Sequence, residues 1–410
     1  MAVRAAPGLT RSAGSVAVTA MLVLFMAAAG APTPLYVVYQ QQWGFPTSTL
    51  TLVFAVYVLG LLATVLVVGA LSDHVGRRPV LVAAIALEAV ALLLFLTAGG
   101  VGTLLAARLV QGIATGAAIT TLSAAVVDLA APSRTGRAGL VTSVATLLGL
   151  AAGSVGTGAL VEFAPAPTTL VYVVLLVGVL LAAAATALLP ETAPRRPGAV
   201  ASLRPRVGMP EYLRSEFLSI MPILLASWAL GGLYLSLGPS VAASSLGITN
   251  HLVGGLVATL LCGTGALTAL ALRNWPLPRV VLLAAVLLAV GPVGTLAAVD
   301  AGSAPLAALG TVVAGVGFGA AGLGAFGTMA ALARPNERGA VFALVYVVSY
   351  LAFSVPAVAA GVAANVVGLG PTTMVYGGVV AVLGATAVIA RWAVGSRSSG
   401  FDPAHTHGSH

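Results

Sequence analysis

The sequence predicts an all-α membrane protein with twelve transmembrane helices arranged as two pseudo-symmetric bundles of six. Three observations predict this fold class: the composition, the number of long apolar stretches, and the placement of the arginines between them. Of the 410 residues, 59% are hydrophobic and 7% are charged, whereas about a quarter of the residues of an average soluble domain are charged. Lipid is therefore the expected solvent for most of the chain.

The apolar stretches are long enough to cross a membrane, because a helix needs about 20 apolar residues to span about 30 Å of hydrocarbon. In chain order, the predicted spans 1 to 12 cover residues 15–38, 48–71, 79–98, 103–129, 138–161, 169–189, 217–237, 250–272, 280–299, 304–332, 339–366 and 372–392. The first stretch is too long for the apolar part of a signal peptide and has no convincing cleavage site, so it is predicted as span 1.

The arginines support this count and predict an orientation. All 18 basic residues are arginine, and with a cytoplasmic N-terminus every one except Arg108 falls in a segment on the cytoplasmic side. This is the distribution that the positive-inside rule describes. It predicts a multi-pass membrane protein with both termini in the cytoplasm. The use of arginine without lysine suits a high-GC bacterial genome, so the expected location is a bacterial cytoplasmic membrane. The net charge of +8 does not indicate nucleic-acid binding, because the arginines are scattered in pairs between spans.

A polar segment at the centre of the chain predicts two halves. Residues 190–216 are basic and rich in proline and form the longest segment between spans. The segment Ser-Arg-Thr-Gly-Arg-Ala at 133–138 also weakly resembles Pro-Asn-Glu-Arg-Gly-Ala at 335–340, as expected for parallel repeats of six helices. The predicted tail, first half, linker, second half and tail are residues 1–14, 15–189, 190–216, 217–392 and 393–410.

The charged turn between spans 2 and 3 is the most informative motif. Residues 69–81 read Gly-Ala-Leu-Ser-Asp-His-Val-Gly-Arg-Arg-Pro-Val-Leu. They resemble the G-x-L-a-D-r-x-G-r-r-x-x-l signature of major facilitator superfamily transporters, with His74 in place of the usual arginine. The resemblance extends over nearly the whole chain and implies the twelve-helix fold of that family. The matching residues are Gly69, Leu71, Asp73, Gly76, Arg77, Arg78 and Leu81.

The resemblance also implies a cytoplasmic gate. An acid at the inner end of helix 4, here Asp128, would pair with Arg77 of the signature, which also includes Gly69, Gly76 and Arg78. Asp73 would face the N-terminus of span 11, where the helix dipole stabilises a carboxylate. These contacts would join the two halves when the transporter is open to the outside. The alternative is an ordinary solvated turn.

Arg108 in span 4 is the strongest candidate for a functional residue inside the membrane. An arginine within a span costs roughly 2.5 to 3.5 kcal/mol on insertion scales, so it should face a cavity or a partner. The segment from Arg108 to Gly112 resembles the R-x-x-Q-G motif of helix 4 in the family, which implies proton coupling or substrate contact. Gln111 lies on the same helical face. The alternative is an arginine that snorkels to the nearby end of the span.

Two further groups of residues are candidates. Glu88 is the only acid predicted deep in the membrane, and it is either a proton-carrying group or a neutral side chain bonded to a neighbouring helix. Aromatic residues of spans 1, 7 and 11 could line a substrate cavity. The alternative for the two tyrosines of span 1 is an aromatic belt at the membrane interface, and the alternative for the residues of spans 7 and 11 is ordinary packing. These aromatic candidates are Tyr36, Tyr39, Trp228, Tyr234, Tyr346 and Tyr350.

A glycine motif in span 5 suggests the type of transporter. Its residues 149–158 resemble the G-x-x-x-G-P-x-x-G-G motif of drug:proton antiporters, with Ser154 in place of the proline and Thr157 in place of a glycine. The resemblance implies a bacterial efflux permease. The glycines would also favour close helix packing without that function.

The expected function is therefore secondary active transport by alternating access, most simply proton-coupled efflux of small lipophilic or weakly anionic compounds. The alternative within transport is an uptake permease or uniporter for a small metabolite. The sequence has no phosphate-binding loop, metal cluster or nucleophile–base pair, so we expect neither an enzyme nor a cofactor, and a receptor is less favoured. The expected partners are the substrate and the bilayer. We expect a monomer, and a proton gradient as the energy source for transport. His405, His407 and His410 are predicted as part of a tail rather than a metal site.

Overall fold

The computed structural model describes residues 9–130 and 138–398. Within them, twelve helices are long and apolar enough to cross a membrane, and no strand is present. The segment 133–137 and the three tail histidines lie outside the described residues. Spans 1 to 6 are Arg11–Gly30 with Pro32–Trp43, Thr47–Val68, Arg77–Leu96, Val101–Leu129, Ala138–Phe163 and Pro167–Leu188. Spans 7 to 12 are Glu211–Ser236, His251–Ala271, Leu277–Asp300, Ala304–Leu332, Arg338–Val367 and Leu369–Ser398. Short helices cover Ser72–Val75, Ala199–Ser202 and Gly238–Ser245.

Span 1 is interrupted where the sequence has two prolines. The helix ends at Gly30 and a new helix begins at Pro32, because proline has no N–H for the helical ladder. Gly30 also packs against span 5: a Cβ added there would lie 2.7 Å from the carbonyl oxygen of Leu150. The break therefore coincides with a close contact between helices.

Span 7 begins earlier than the hydrophobicity predicts. Its helix starts at Glu211, inside the segment predicted as the linker. Leu213 and Phe217 on its first turns are buried in an apolar cluster with spans 10 and 11. One buried face is sufficient to continue a helix through a polar sequence. The exact limits of the two halves stay a prediction.

The packing confirms the two pseudo-symmetric bundles. In the first half, span 2 packs on span 4, span 3 on spans 4 and 6, and span 1 on span 5. Each pair has a counterpart six spans later, because span 8 packs on span 10, span 9 on spans 10 and 12, and span 7 on span 11. The halves meet where span 5 packs on span 8 and span 2 on span 11. Small residues permit the close approach: a Cβ at Gly158 would lie 2.7 Å from the backbone of His251.

The two ends of the molecule differ in how the halves are joined. We call the end that carries the turn 69–78 and the segment after span 6 the linker face, and the opposite end the distal face. Spans of the two halves share no hydrogen bond or ion pair at the linker face in the described residues. Toward the distal face the described spans of the two halves share three hydrogen bonds, which join Thr33 to Leu235 at 3.1 Å, Ser48 to Asn365 at 2.7 Å and Glu162 to His251 at 2.8 Å. A fourth, from Thr259 of span 8 to the carbonyl of Ala151 in span 5 at 2.9 Å, lies farther along the same pair of helices.

Candidate functional site

The charged turn at the linker face is organised around Arg77. Its Nε donates to Asp128 at 3.1 Å, its Nη1 donates to the Ser72 hydroxyl at 2.7 Å, and the guanidinium also pairs with Asp73. The Arg77 side chain is 12% exposed, so these bonds are partly shielded from solvent. The structure thus brings together Asp73, Arg77 and Asp128, as the motif implied.

Asp73 does not contact span 11 in this structure. Its side chain is 54% exposed and pairs with Arg77, and no bond between it and span 11 occurs among the described residues. The contact was expected for a state open to the outside. In this structure the contact between Asp73 and span 11 is absent, and the two halves are instead joined by hydrogen bonds at the distal face.

Sequence reasoning missed Glu191, which caps span 3. Its carboxylate accepts hydrogen bonds from the backbone N–H groups of Arg77 at 2.7 Å and Arg78 at 3.1 Å. A carboxylate is favoured at the positive end of a helix dipole. Gly76 has a φ of +101°, and a Cβ there would lie 2.7 Å from the Glu191 carboxylate, so the turn needs glycine. An acid directly after span 6 was the available signal.

The other motif residues of this turn contact neighbouring helices. The Arg78 guanidinium donates to the carbonyl of Ala187 at 2.8 Å, at the end of span 6. Thr192 of the linker donates to Asp128 at 3.0 Å. Gly69 follows span 2, where a Cβ would lie 3.7 Å from the Thr120 side chain of span 4. Spans 2, 3, 4 and 6 and the linker are therefore tied together at one end of the first half.

Arg108 is buried inside the first half, with 1% of its surface exposed. Its Nη1 donates to Gln111 Oε1 at 2.6 Å and to the carbonyl of Ala29 at 3.3 Å. The guanidinium lies 4.4 Å from the ring centre of Tyr57 and 5.7 Å from that of Tyr36, at distances that permit cation–π attraction. The side chain therefore points into the bundle rather than snorkelling to the membrane surface.

Gln111 links Arg108 to Glu88. Its Nε2 donates to Glu88 Oε1 at 3.1 Å and to the carbonyl of Ala28 at 3.1 Å. Glu88 and Gln111 are fully buried, so the acid and the cation interact across one amide in a medium of low dielectric. We call Tyr36, Tyr57, Glu88, Arg108, Gln111 and Thr115 the polar cluster.

Several atoms of the polar cluster lack a hydrogen-bond partner in the described residues. They include Glu88 Oε2, Arg108 Nε and the hydroxyl groups of Tyr36 and Thr115. A buried polar atom without a partner costs about 1 to 3 kcal/mol. Such atoms are rare in folded proteins and indicate a catalytic or binding role or bound water. Their concentration around one acid and one cation marks this cluster as a candidate site.

Tyr39 lies apart from this cluster. Its hydroxyl donates to that of Tyr172 in span 6 at 3.1 Å, and its ring stacks on Trp43 at 4.7 Å. Tyr172 in turn stacks on Phe95 of span 3 at 4.6 Å. Tyr39 is 2% exposed and packs inside the first half, which fits neither a membrane-facing belt nor a surface between the halves.

The aromatic candidates of spans 7 and 11 belong to one connected surface. Trp228 lies 4.9 Å from Tyr350, which lies 6.1 Å from Tyr346, and Tyr346 lies 5.6 Å from Phe326 of span 10. Sequence reasoning missed the phenylalanines, although residues 342, 346, 350 and 353 of span 11 have helical spacing. We call this set the aromatic surface, which comprises Trp228, Phe326, Phe342, Tyr346, Tyr350 and Phe353.

Open space adjoins the aromatic surface, and one edge of the aromatic surface contacts the other half. Gly322 lies one turn from both Phe318 and Phe326 on span 10, and a Cβ added to it would meet no atom within 4 Å. Phe353 packs against Phe54 of span 2 with ring centres 5.0 Å apart. Sites for apolar small molecules are usually open spaces lined by hydrophobic and aromatic side chains.

Tyr234 faces a different part of the second half. Its hydroxyl lies 3.0 Å from that of Thr311 in span 10 and 3.4 Å from that of Thr295 in span 9. It therefore lies among the spans of its own half, away from the aromatic surface.

The comparisons with known proteins agree with this architecture. A bacterial homologue of the human lysosomal transporter Spinster, crystallised inward-facing and unoccupied, has a TM-score of 0.72 and 14% identity, covering 93% of this chain and 97% of that one. The human organic anion transporter MFSD10 (TETRAN) has a TM-score of 0.65 and 19% identity, covering 92% and 100%. At these identities the similarity shows the fold alone.

The sequence comparisons decide the family. No curated protein matches the chain at a level that indicates a relative. The sequence profile of the Major Facilitator Superfamily matches residues 18–357, which is most of the chain. This match, together with twelve helices in the described residues that are long and apolar enough to span a membrane, shows that the chain is a multi-pass membrane transporter rather than an enzyme and belongs to the major facilitator superfamily.

Proposed function

We propose that this transporter couples the export of small lipophilic or weakly anionic compounds to the entry of protons, by alternating access between its two halves. The proton gradient would be the energy source. The protein would act as a monomer, with the substrate and the bilayer as its partners. The linker face would be cytoplasmic, because the arginine-rich segments lie there. The alternative is an uptake permease or uniporter for a small metabolite.

The observation that carries the proposal is the link from Glu88 through Gln111 to Arg108. Ionisable residues inside a membrane are costly and mostly serve transport or proton transfer. Glu88 is a buried acid with one carboxylate oxygen that no described residue bonds to. Because Gln111 bonds to both charged groups, a proton gained or lost at Glu88 changes the electrostatic environment of Arg108.

The contacts between the halves support alternating access. The distal hydrogen bonds would hold the molecule open toward the linker face. If that face is cytoplasmic, this is an inward-facing conformation, the one in which the Spinster homologue was crystallised. Rocking of the halves about a site near the middle of the membrane would break these bonds. It would bring Asp73 to the N-terminus of span 11, where the helix dipole stabilises the carboxylate.

The aromatic surface supports lipophilic cargo. Its six side chains carry no charge, and the open space at Gly322 adjoins it. Sugars would need many hydrogen-bonding partners, which this surface does not offer. Arg108 is the only buried cation in the described residues and would add a weak preference for anions.

The test uses proteoliposomes with an imposed proton gradient and a pH-sensitive dye, to which a panel of lipophilic compounds is added. We expect some compounds to dissipate the gradient with the native protein, but not with Glu88→Gln or Arg108→Ala. The control is Asp300→Asn, which changes an exposed carboxylate at the end of span 9. Substrate movement without proton movement would instead establish a uniporter, and gradient-driven accumulation in the opposite direction would establish uptake.

A further inference from the structure

A cavity of about 210 Å³, partly open at its rim, lies between the spans of the second half toward the distal face. Spans 7, 8, 9, 10 and 12 and the short helix Gly238–Ser245 form its walls. No charged side chain lines it, and most of its walls are aliphatic, as with Leu233, Val257, Leu260 and Leu296.

Four hydroxyl groups interrupt the apolar walls. They belong to Tyr234, Thr295, Thr311 and Thr373. Thr295 donates its proton to the carbonyl of Gly291 at 3.1 Å. Thr373 donates in the same way within its own helix, at 2.8 Å. These two threonines therefore have lone pairs left, but no free proton.

The other two hydroxyl groups form a short chain. Thr311 lies 3.0 Å from the Tyr234 oxygen, and Tyr234 donates to Thr295 at 3.4 Å. If Thr311 donates to Tyr234, every hydroxyl proton at the cavity is used, and only acceptor positions remain. In that arrangement the cavity accepts a hydrogen bond from a guest and has no hydroxyl proton to donate to it.

We propose that this cavity is a binding site for a neutral, single-ring amphiphile that carries one hydroxyl or N–H donor. A charged guest would lose its hydration without gaining a partner. An apolar cavity of about 150 Å³ holds benzene, so the larger volume fits a ring with a few substituent carbons. The donor of the guest would bind the hydroxyl groups at Tyr234 and Thr311.

This guest is distinct from the cargo of the proposed function. All residues that line the cavity lie between positions 230 and 377, within one half. Rocking of one half against the other does not require the cavity to open. Its occupant would therefore stay bound through a transport cycle, and the inference stands whether the cargo is exported or imported.

The experiment measures binding of thymol and of p-cymene to the full chain in lipid nanodiscs, with empty nanodiscs subtracted. The two compounds share a carbon skeleton, and only thymol has a hydroxyl group. We expect saturable binding of thymol at one site and roughly tenfold weaker binding of p-cymene, the loss of one buried hydrogen bond. Equal affinities would overturn the donor requirement, and non-saturable uptake would overturn the site.

Variants locate the site. Ala308→Phe places a ring in the cavity and should reduce thymol affinity at least tenfold. Leu309→Phe is the matched control, because Leu309 is the next residue of the same helix and is 61% exposed on the outer surface. Unchanged binding to a folded Ala308→Phe protein would place thymol elsewhere and refute the proposal.

A second variant keeps the test decisive if Ala308→Phe does not fold. Tyr234→Phe combined with Thr311→Val removes both hydroxyl groups assigned to the guest and keeps the shapes of the side chains, so it should bring the affinities for thymol and p-cymene close together. Thermal unfolding shows whether each variant is folded. A folded Tyr234→Phe/Thr311→Val protein that retains the full preference for thymol would contradict the assignment of the acceptors.

Discussion

The two halves share one architecture and differ in the chemistry of their interiors. In the described residues, the two fully buried charged side chains, Glu88 and Arg108, both lie in the first half. The second half has the aromatic surface and, toward the distal face, an aliphatic cavity. Its two ion pairs in the described residues, Arg391 with Glu216 and Arg214 with Glu211, are partly or largely exposed at the linker face.

The difference teaches that helix packing and interior chemistry are separable. The same set of helix contacts occurs in both halves, so the fold alone does not require the buried charges. Charges in a low-dielectric interior persist only where rings and hydrogen bonds compensate them. We therefore expect changes in the first half to affect turnover and coupling, and changes in the second half to affect which compounds bind.

The largest effect is expected for Arg108→Ala. The change leaves Gln111 Oε1 and the carbonyl of Ala29 without their donor, which should lower the free energy of unfolding by on the order of 3 kcal/mol. Transport in proteoliposomes should fall at least 100-fold. Arg279→Ala removes an exposed arginine and should change neither quantity. Native transport in Arg108→Ala would remove the basis for assigning coupling to the first half.

Asp73→Asn should abolish transport and leave expression and folding intact. The amide keeps the size of the side chain but weakens its interaction with Arg77 and with the helix dipole of span 11 in the opposite state. Transport and the amount of protein in the membrane are measured together. Glu211→Gln alters another exposed carboxylate, which is paired with Arg214 at 3.6 Å, and should have little effect. Normal activity of Asp73→Asn would refute the gate.

Glu88→Gln should separate coupling from transport. The glutamine can still accept a hydrogen bond from Gln111, so the free energy of unfolding should change by less than about 1 kcal/mol. Downhill transport should continue, while an imposed pH gradient should no longer drive accumulation. If accumulation still follows the pH gradient, then Glu88 is a structural partner of Gln111 and the proton is carried elsewhere.

Trp228→Ala tests the second half. Removal of the ring takes away its contacts with Tyr350 and Phe353, at 4.9 and 5.6 Å, and should raise the KM for lipophilic substrates about tenfold with a smaller change in maximal rate. Trp275→Ala removes a tryptophan that is 51% exposed between spans 8 and 9 and serves as the control. If Trp228→Ala instead lowers the maximal rate about tenfold and leaves the KM unchanged, the second half would affect turnover in the same way as the first half.

The smallest effect is expected at the distal face. Asn365→Ala and Ser48→Ala each remove one exposed hydrogen bond of 2.7 Å between the halves, worth about 0.5 to 1.5 kcal/mol. Each should shift the population away from the state closed at the distal face, as measured by distances between spin labels on the two halves. The double variant should shift it no further, because both residues form the same bond. Additive shifts would show that they act separately.

Much of the fold was predictable from local properties of the chain. The twelve spans follow from hydrophobic length alone, and the break in span 1 follows from Pro32 and Pro34. The burial of Arg108 follows from its position within a span, because an arginine there must find a partner. The contact between Arg77 and Asp128 was implied by a motif and a resemblance.

The remaining features depend on how helices rotate and pack. Glu88 and Gln111 lie on different spans, and their 3.1 Å bond exists only because spans 3 and 4 present those faces to each other. Glu191 caps span 3 although the two are more than 100 residues apart in the sequence. Tyr234 and Trp228 lie on the same helix, but one faces the cavity and the other the aromatic surface.

By itself, the sequence determined that this chain spans a membrane twelve times, because hydrophobic length and the placement of arginines are properties of the chain read in order. Only the tertiary structure decided that one half encloses linked charges and the other an apolar cavity. The physical reason is that the cost of a buried charge depends on neighbours brought together from distant segments.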